Sequence, residues 1–137
     1  MGTRPGLQLH DIVCNKLMSI HLKVSKTDQM AKGTFIHIEP TNDGYCPIAA
    51  MKAFLELRSK TSGPLFIHKN GRIMNRVQFQ SVLNKCTSYL GWETSKFTTH
   101  SFRIGAATSA ALKGVPDETI MLKGRWTSSA MHKYIRC

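Results

Sequence analysis

The chain has 137 residues, of which 42% are hydrophobic, so it is long enough for one folded domain with a core and too short for two. Lys and Arg total 19 against 8 Asp and Glu, and the formal net charge of +11 predicts binding to polyanions. No apolar run is long enough to cross a bilayer and no signal segment opens the chain, so we expect no membrane association and a nuclear or otherwise intracellular protein.

The acidic residues and the cysteines argue against a bound metal or cofactor. A pair of Mg²⁺ ions needs clustered carboxylates, whereas the 8 acidic residues here are spread thinly along the chain. The cysteines form no C-x-x-C pair and have no His at finger spacing, so we expect reduced thiols and no structural zinc. They are Cys14, Cys46, Cys86 and Cys137.

A β-hairpin is predicted in the first third of the chain. Apolar and polar residues alternate in "MSIHLKV" from Met18, which is typical of a half-buried strand. The polar segment "SKTDQMAKG" ends at Gly33 and predicts a loop, and "TFIHI" is the returning strand.

Two helices are predicted in the middle of the chain. Pro47 begins the first, "PIAAMKAFLELRSK", with Ile48, Met51, Leu55 and Arg58 at helical spacing. Asn75 and Gln78 form a capping pair that opens the second helix, which runs to about Leu90. Its predicted inner side consists of Val77, Val82, Cys86 and Tyr89.

The final third is predicted to be fully helical. Thr99 caps a helix over "SFRIGAATSAALK" that stops at Gly114, and a short helix opened by Pro116 ends at Gly124. A last helix, capped by Ser128 or Ser129, carries Tyr134. The expected fold is therefore α+β and mainly helical, with one β-hairpin and about five helices in a single domain over residues 1–137.

Four polar and aromatic side chains of this last third suggest a phosphate site. His100 and Arg103 are three residues apart near a helix start, so they share a face, and a helix N-terminus offers free N–H groups to an anion. Each signal is weak alone, because a lone Trp such as Trp126 is more often a core residue and a lone Tyr such as Tyr134 more often lies on the surface.

The order and spacing of these residues carry a resemblance that no single motif carries. The chain resembles the catalytic domain of tyrosine recombinases, the phage integrase-like enzymes, in "HSFRIGAATSAA", "KGRW" and "SSAMHKYIR". Further blocks, "LQLHDI", "SKTD", "CPIAA" and "GPLF", extend it over nearly the whole chain, with wording most similar to eukaryotic Crypton-type and DIRS-type mobile-element recombinases. The resemblance implies metal-free breaking and rejoining of double-stranded DNA through a 3′-phosphotyrosyl intermediate, in DNA recombination or integration.

The resemblance also implies a role for each site residue. Tyr134 would attack the phosphodiester, Arg103 would clamp its non-bridging oxygens, and His100 would bind the phosphate and help to move the Tyr proton. Trp126 stands where the family has a second His, and Lys26 matches the Lys that protonates the departing 5′-oxygen. The residue types suit these roles, because a phenol with a pKa of about 10 needs nearby cations to act as a nucleophile. Arg matches two phosphate oxygens with its planar fork.

The sequence departs from the family pattern at its start. The family carries a further Arg in a block like "LRxGE", whereas Arg4 is followed by Pro5, which disfavours the helix that usually carries this Arg, and we do not transfer the role to it. The resemblance covers only the catalytic domain, so we expect this chain to lack the family's N-terminal core-binding domain and the tail used for contacts between copies. We therefore expect a truncated catalytic domain that forms no covalent DNA adduct alone, and self-association on DNA in the full-length protein.

Two other functions stay open at this point. The chain could be a recombinase-derived module with inactive chemistry that binds DNA or protein, or a topoisomerase of the same mechanistic type, although "GRW" and "KYIR" favour the recombinase. The active-site hypothesis predicts that the fold gathers one group of side chains around a phosphate-sized space, with Tyr134 facing it. The group is Lys26, His100, Arg103 and Trp126.

Overall fold

The structure, a computed structural model, describes residues 6–23, 33–126 and 129–136 of the chain. These residues fall into two compact units, one that ends at Met74 and one that begins at Asn75. Lys26 lies outside the described residues, as do Arg4 and Pro5. In the part of the chain that the structure describes, no helix is both long and apolar enough to span a bilayer.

The first unit contains a three-stranded antiparallel sheet. Its strands are β1 (Ile12–Cys14), β2 (Met18–Leu22) and β3 (Thr34–Ile38), in that order across the sheet. The predicted hairpin is confirmed as β2 and β3, which pair in a register that sets Ile20 opposite Ile36. The sequence did not predict β1, because three residues are too few to show an alternating pattern.

Helix α1 (Pro47–Leu57) covers part of this unit. Proline at its first position fits there because the first turn needs no N–H hydrogen bond. The Cys14 thiol of β1 contacts the Ile48 carbonyl at 3.9 Å. The buried hydrophobic side chains of this unit are Met18, Ile48, Leu65 and Ile67.

A buried arginine organises the loop after α1. The Arg58 residue is only 6% exposed, and its guanidinium donates to the carbonyls of Leu65 at 2.9 Å, Thr61 at 2.8 Å and Pro64 at 2.6 Å, and also to that of Ser59. Its Nε and both terminal nitrogens therefore all donate to main-chain oxygens, which compensates the cost of burying the charge.

A buried carboxylate, that of Asp11, lies near the start of the same unit. Asp11 ends a short 3-10 helix, and its Oδ2 accepts the Gln8 N–H at 2.9 Å while its Oδ1 lies 3.2 Å from Lys23 Nζ. Burial alone would raise the pKa of Asp11, but the Gln8 N–H and the Lys23 ammonium outweigh it, so the pKa lies below its ordinary value. The ionised form of Asp11 therefore stabilises the fold.

The second unit contains three α-helices and a final 3-10 helix among its described residues. They are α2 (Arg76–Tyr89), α3 (Ser101–Leu112), α4 (Asp117–Gly124) and the 3-10 helix Ser129–Lys133, and a further 3-10 turn, Thr94–Lys96, lies between α2 and α3. The predicted capping pair is confirmed, because Gln78 N donates to Asn75 Oδ1 at 2.8 Å and Asn75 N donates to Gln78 Oε1 at 2.9 Å. The core of this unit is formed by Ala107, Ile120 and Met131.

Three predicted details of this unit are wrong. The predicted inner side of α2 is exposed, with Val77 at 77% and Tyr89 at 91%, and the helix buries Thr87 instead. His100, not Thr99, is the N-cap of α3. The element before Tyr134 is a 3-10 helix, in which Met131 is fully buried. The α+β class is confirmed.

Candidate functional site

Helix α3 presents Arg103 from its first turn. The turn before the helix is closed by local hydrogen bonds, in which Thr98 N donates to Ser101 Oγ at 2.9 Å and His100 N donates to Thr98 Oγ1 at 3.3 Å. His100 and Arg103 are both exposed and three residues apart, so they extend from neighbouring positions of the same turn. This turn places one imidazole and one guanidinium beside the free N–H groups of the helix start.

Two aromatic rings support the Arg103 side chain. Its Cζ lies 4.0 Å from the centre of the Trp126 ring and 6.0 Å from that of Tyr134, and the two ring centres are 5.5 Å apart. A guanidinium over an aromatic face gains about 0.5–1 kcal/mol at an exposed site. Among the described residues, no protein group accepts a hydrogen bond from this exposed guanidinium, so its N–H donors are available to an anion.

The Trp126 ring lies against the backbone of α4 at a glycine. A Cβ added to Gly124 would be 1.8 Å from Trp126 Cζ3 and 2.1 Å from its Cε3, so only glycine leaves room for the ring. The main chain turns back towards α4 at Arg125, which has a left-handed φ of 56°. Trp126 N then donates to the Met121 carbonyl at 2.9 Å.

Two further contacts hold the main chain around Tyr134 against α3. Thr108 Oγ1 donates to the Tyr134 carbonyl at 3.3 Å and accepts the Arg136 N–H at 2.9 Å. Tyr134 N donates to the Met131 carbonyl at 2.9 Å, and Met131 is fully buried in the core of the unit. The Tyr134 ring is half-buried and packs against Trp126, so its position depends on both α3 and α4.

The arrangement is suited to a phosphate. An exposed Arg fork lies next to a phenol and an indole, and the cavity next to it contains no acidic residue in its lining. In the described part of the chain, no three His, Cys, Asp or Glu side chains lie close enough together to hold a metal ion. The expectation of metal-free chemistry stays a prediction.

Comparison with known proteins decides the family. Residues 5–136 match the Phage integrase family. The chain belongs to this family. It is also 31% identical over 129 residues to the integrase/recombinase xerD homolog of Selenomonas ruminantium, a match that covers 85% of this chain and 36% of that relative. The chain therefore spans about a third of the length of the curated relative, and no solved structure gives a significant match.

The structure of this integrase-family chain brings together three of the five residues proposed from sequence. Arg103, Trp126 and Tyr134 form one cluster, and His100 lies in the same helical turn as Arg103. Lys26 lies outside the described residues, so its predicted approach to Arg103 stays a prediction. Trp126 is both a wall of the site and a partner of the core, because it packs against the Ala107 cluster.

Sequence reasoning missed two residues that shape the site. The sequence predicts Gly124 as a helix stop and as part of the "KGRW" block, but not as the point where the Trp126 ring packs on the backbone, although a glycine two residues before a lone Trp is compatible with such a contact. Thr108 has no signal in the sequence, since a Thr within a helix is usually unremarkable, and its contact to residue 134 spans 26 positions.

Proposed function

We propose that this integrase-family chain is the catalytic domain of a tyrosine recombinase, which breaks and rejoins double-stranded DNA without a metal or cofactor. The observation that supports it is the cluster in which the Arg103 guanidinium lies over the Trp126 and Tyr134 rings with its donors open to an anion. The relative's printed name, an integrase/recombinase xerD homolog, agrees with this activity.

In the proposed reaction, Tyr134 Oη attacks phosphorus and the bond from phosphorus to the 5′-oxygen breaks. The phenol proton passes to His100, and the departing 5′-oxygen takes a proton from Lys26. The reverse reaction, with a 5′-hydroxyl as nucleophile, releases Tyr134 and reseals the strand. The phosphodiester bond energy is kept in the phosphotyrosine, so neither water nor a nucleotide cofactor is consumed.

The aromatic support of Arg103 has a proposed catalytic purpose. Charge grows on the two non-bridging oxygens in the transition state, and a guanidinium that is already oriented stabilises it without reorganisation. The Trp126 indole N–H adds a donor at the position where the family has a second His. His100 and the N–H groups at the start of α3 complete the phosphate site on the same side of the helix.

A suicide substrate tests the chemistry. A nicked duplex that loses its 5′-hydroxyl fragment on cleavage traps the covalent adduct, which denaturing gels detect. We expect no adduct from the 137-residue chain. A longer version that supplies the family's further Arg should give an adduct that disappears in Tyr134→Phe and falls by at least about a hundredfold in Arg103→Lys, since a Lys cannot hold two phosphate oxygens. The assay should be run on the 137-residue chain and on a longer version that includes upstream sequence, because the family's further Arg is not assigned here.

An adduct that persists in Tyr134→Phe would contradict the assignment of the nucleophile. Duplex binding without any adduct in either version would favour the alternative, a recombinase-derived DNA-binding module with inactive chemistry. Relaxation of supercoiled DNA without joining of separate duplexes would favour a topoisomerase.

The net charge of +11 supports duplex DNA as the partner. We expect sequence-independent binding at low salt, in which the slope of log K against log salt steepens by about 0.9 for each phosphate neutralised. Fluorescence anisotropy measures this slope, and salt-independent binding would remove DNA from the proposal. Self-association on DNA and a Crypton-type or DIRS-type mobile element as the source are proposed from the resemblance alone. One domain over residues 1–137 is proposed from the length of the chain, and a nuclear or other intracellular location from the proposed action on DNA.

A further inference from the structure

The cavity next to the Arg103 cluster, whose lining contains no acidic residue, is an apolar space within the second unit. It has a volume of about 260 Å³ and lies between α3 and α4. Its walls include Ala106, Ala110, Val115 and Ile120, and the Trp126 indole forms another side. The proposed strand cleavage uses the N–H donors of Arg103 and gives no role to the apolar walls of this cavity.

The cavity carries positive charge and no negative charge. Arg103 and Lys123 both belong to its lining, and no Asp or Glu does. Lys123 is exposed and is in the last turn of α4. A Lys at the edge of an apolar cavity typically lays its methylene groups along the apolar surface and keeps its ammonium in water. An apolar space with two cations is complementary to a compound that has an apolar body and one anionic group.

The size of the cavity narrows the class of compound. An apolar cavity of about 150 Å³ accommodates one benzene ring, so about 260 Å³ suits two fused or linked rings. From its volume, its apolar walls and its two cations, we propose that this cavity binds a small aromatic anion, an aryl sulfonate or aryl carboxylate with two rings. The rings contact Val115, Ile120 and the Trp126 indole, and the anionic group pairs with Arg103 and Lys123.

The site is a function separate from strand cleavage, because binding needs neither Tyr134 nor DNA. It nevertheless has a consequence for the phosphate site. A compound paired with Arg103 occupies N–H donors that a DNA phosphate needs. Compounds of this class should therefore compete with DNA for binding to the protein.

8-Anilinonaphthalene-1-sulfonate is a suitable probe, because it has two ring systems and a sulfonate and fluoresces when shielded from water. We expect saturable binding at one equivalent per chain. N-phenyl-1-naphthylamine, which has the same rings without the sulfonate, should bind roughly tenfold more weakly, since it forms no charge-assisted hydrogen bond.

Three variants locate the probe. Lys123→Gln should weaken sulfonate binding roughly tenfold and leave binding of the neutral amine unchanged. Lys113→Gln is the matched control, because Lys113 is an exposed Lys at the end of α3 that does not line this cavity, and it should change neither. Ala110→Phe fills the cavity and should abolish binding of both compounds.

Two results would overturn the inference. One is equal sulfonate binding in wild type, Lys123→Gln and Lys113→Gln, and the other is non-saturable binding of several dye molecules, which indicates general apolar surface. If circular dichroism shows that Ala110→Phe is unfolded, the comparison of the two Lys variants decides the question on its own.

Discussion

The two arginines Arg58 and Arg103 show how differently the two units use the same side chain. Arg58 is buried, and its nitrogens donate to four main-chain carbonyls of the loop after α1. Arg103 is exposed and is held by aromatic faces, which support the plane of the guanidinium without using its N–H donors. Every side-chain nitrogen of Arg58 donates a hydrogen bond inside the protein, whereas ring contacts orient Arg103 and leave its donors for a ligand.

This difference separates a structural cation from a candidate catalytic one. A guanidinium whose donors are all paired inside the protein has nothing to offer a phosphate, however basic the chain. A guanidinium that is fixed in place with its donors free is preorganised for an anion. The number of N–H donors that the protein itself already binds, rather than the charge, indicates which arginine belongs to an anion-binding site.

The largest expected effect comes from removing the buried arginine. Arg58→Ala leaves four carbonyls without their donor, and we expect the free energy of unfolding to fall by about 3 kcal/mol. Arg103→Ala should cost at most about 1 kcal/mol, the value of its cation–π contact. Urea denaturation of both variants measures the two values.

Equal losses of stability in Arg58→Ala and Arg103→Ala would contradict the distinction between a structural and a ligand-binding arginine. Arg58→Lys is the matched control, because a Lys keeps the charge without the planar fork and should recover only part of the stability.

The second prediction removes the support of Arg103 without touching it. Gly124→Ala places a methyl group where the Trp126 ring lies, so we expect displacement of the ring and a loss of about 1–3 kcal/mol of stability. Thermal unfolding measures the loss, and Trp126 fluorescence in a Trp92→Phe background reports the displacement.

Gly105→Ala is the matched control for this change. Gly105 lies in α3, and nothing lies within 4 Å of a Cβ added there, so helix propensity should make the variant more stable by about 0.8–1 kcal/mol. If Gly124→Ala were also stabilising, propensity would outweigh the clash and the ring–backbone contact would be unimportant.

The third prediction concerns the buried carboxylate of the first unit. Its pKa is lowered in the folded state, so the ionised form adds stability above the unfolded pKa of about 3.9, and this stability is lost as the pH falls through the folded pKa. Asp11→Asn should therefore cost about 1–2 kcal/mol at pH 7 and progressively less below about pH 4. Urea denaturation from pH 3 to 7 measures the difference, and Asp117→Asn, with an exposed side chain, should show little effect.

The fourth prediction tests the support of the Tyr134 segment. Thr108→Val removes the hydroxyl that bonds the Tyr134 carbonyl and the Arg136 N–H, and we expect a loss of about 1 kcal/mol. The exchange of the Arg136 amide hydrogen should become faster in Thr108→Val and remain slow in Thr108→Ser. Unchanged exchange in the Val variant would show that buried Met131, rather than the hydroxyl, holds the segment.

Local signals in the sequence predicted much of the fold. The Asn75–Gln78 pair and Pro47 each act within a few residues, so their outcome does not depend on distant contacts. The "TFIHI" strand pairs with the preceding strand in the chain, which an alternating pattern and one intervening loop are enough to predict. The prediction of the inner side of α2 was wrong, because an apolar pattern shows which side chains are suited to burial but not which neighbouring element covers them.

The site was predictable to a different degree. The order of His100, Arg103, Trp126 and Tyr134 resembles a family pattern, and such a resemblance carries an expectation of three-dimensional proximity that spacing alone does not. The ring contact at Gly124 and the hydroxyl of Thr108 were not predictable, because both join residues through atoms whose positions depend on how α3, α4 and the last turn pack.

Arg125 combines an unfavourable backbone conformation with a positively charged side chain. Arg125 adopts a left-handed conformation that glycine adopts freely, which costs roughly 1 kcal/mol in a non-glycine residue. Arg125→Gly should therefore be the more heat-stable protein and bind duplex DNA less tightly, whereas Arg125→Ala should lose affinity without gaining as much stability. Melting curves and fluorescence anisotropy on these two variants measure the two effects. Position 125 would then be a site for engineering at which the melting temperature and the affinity for DNA change in opposite directions.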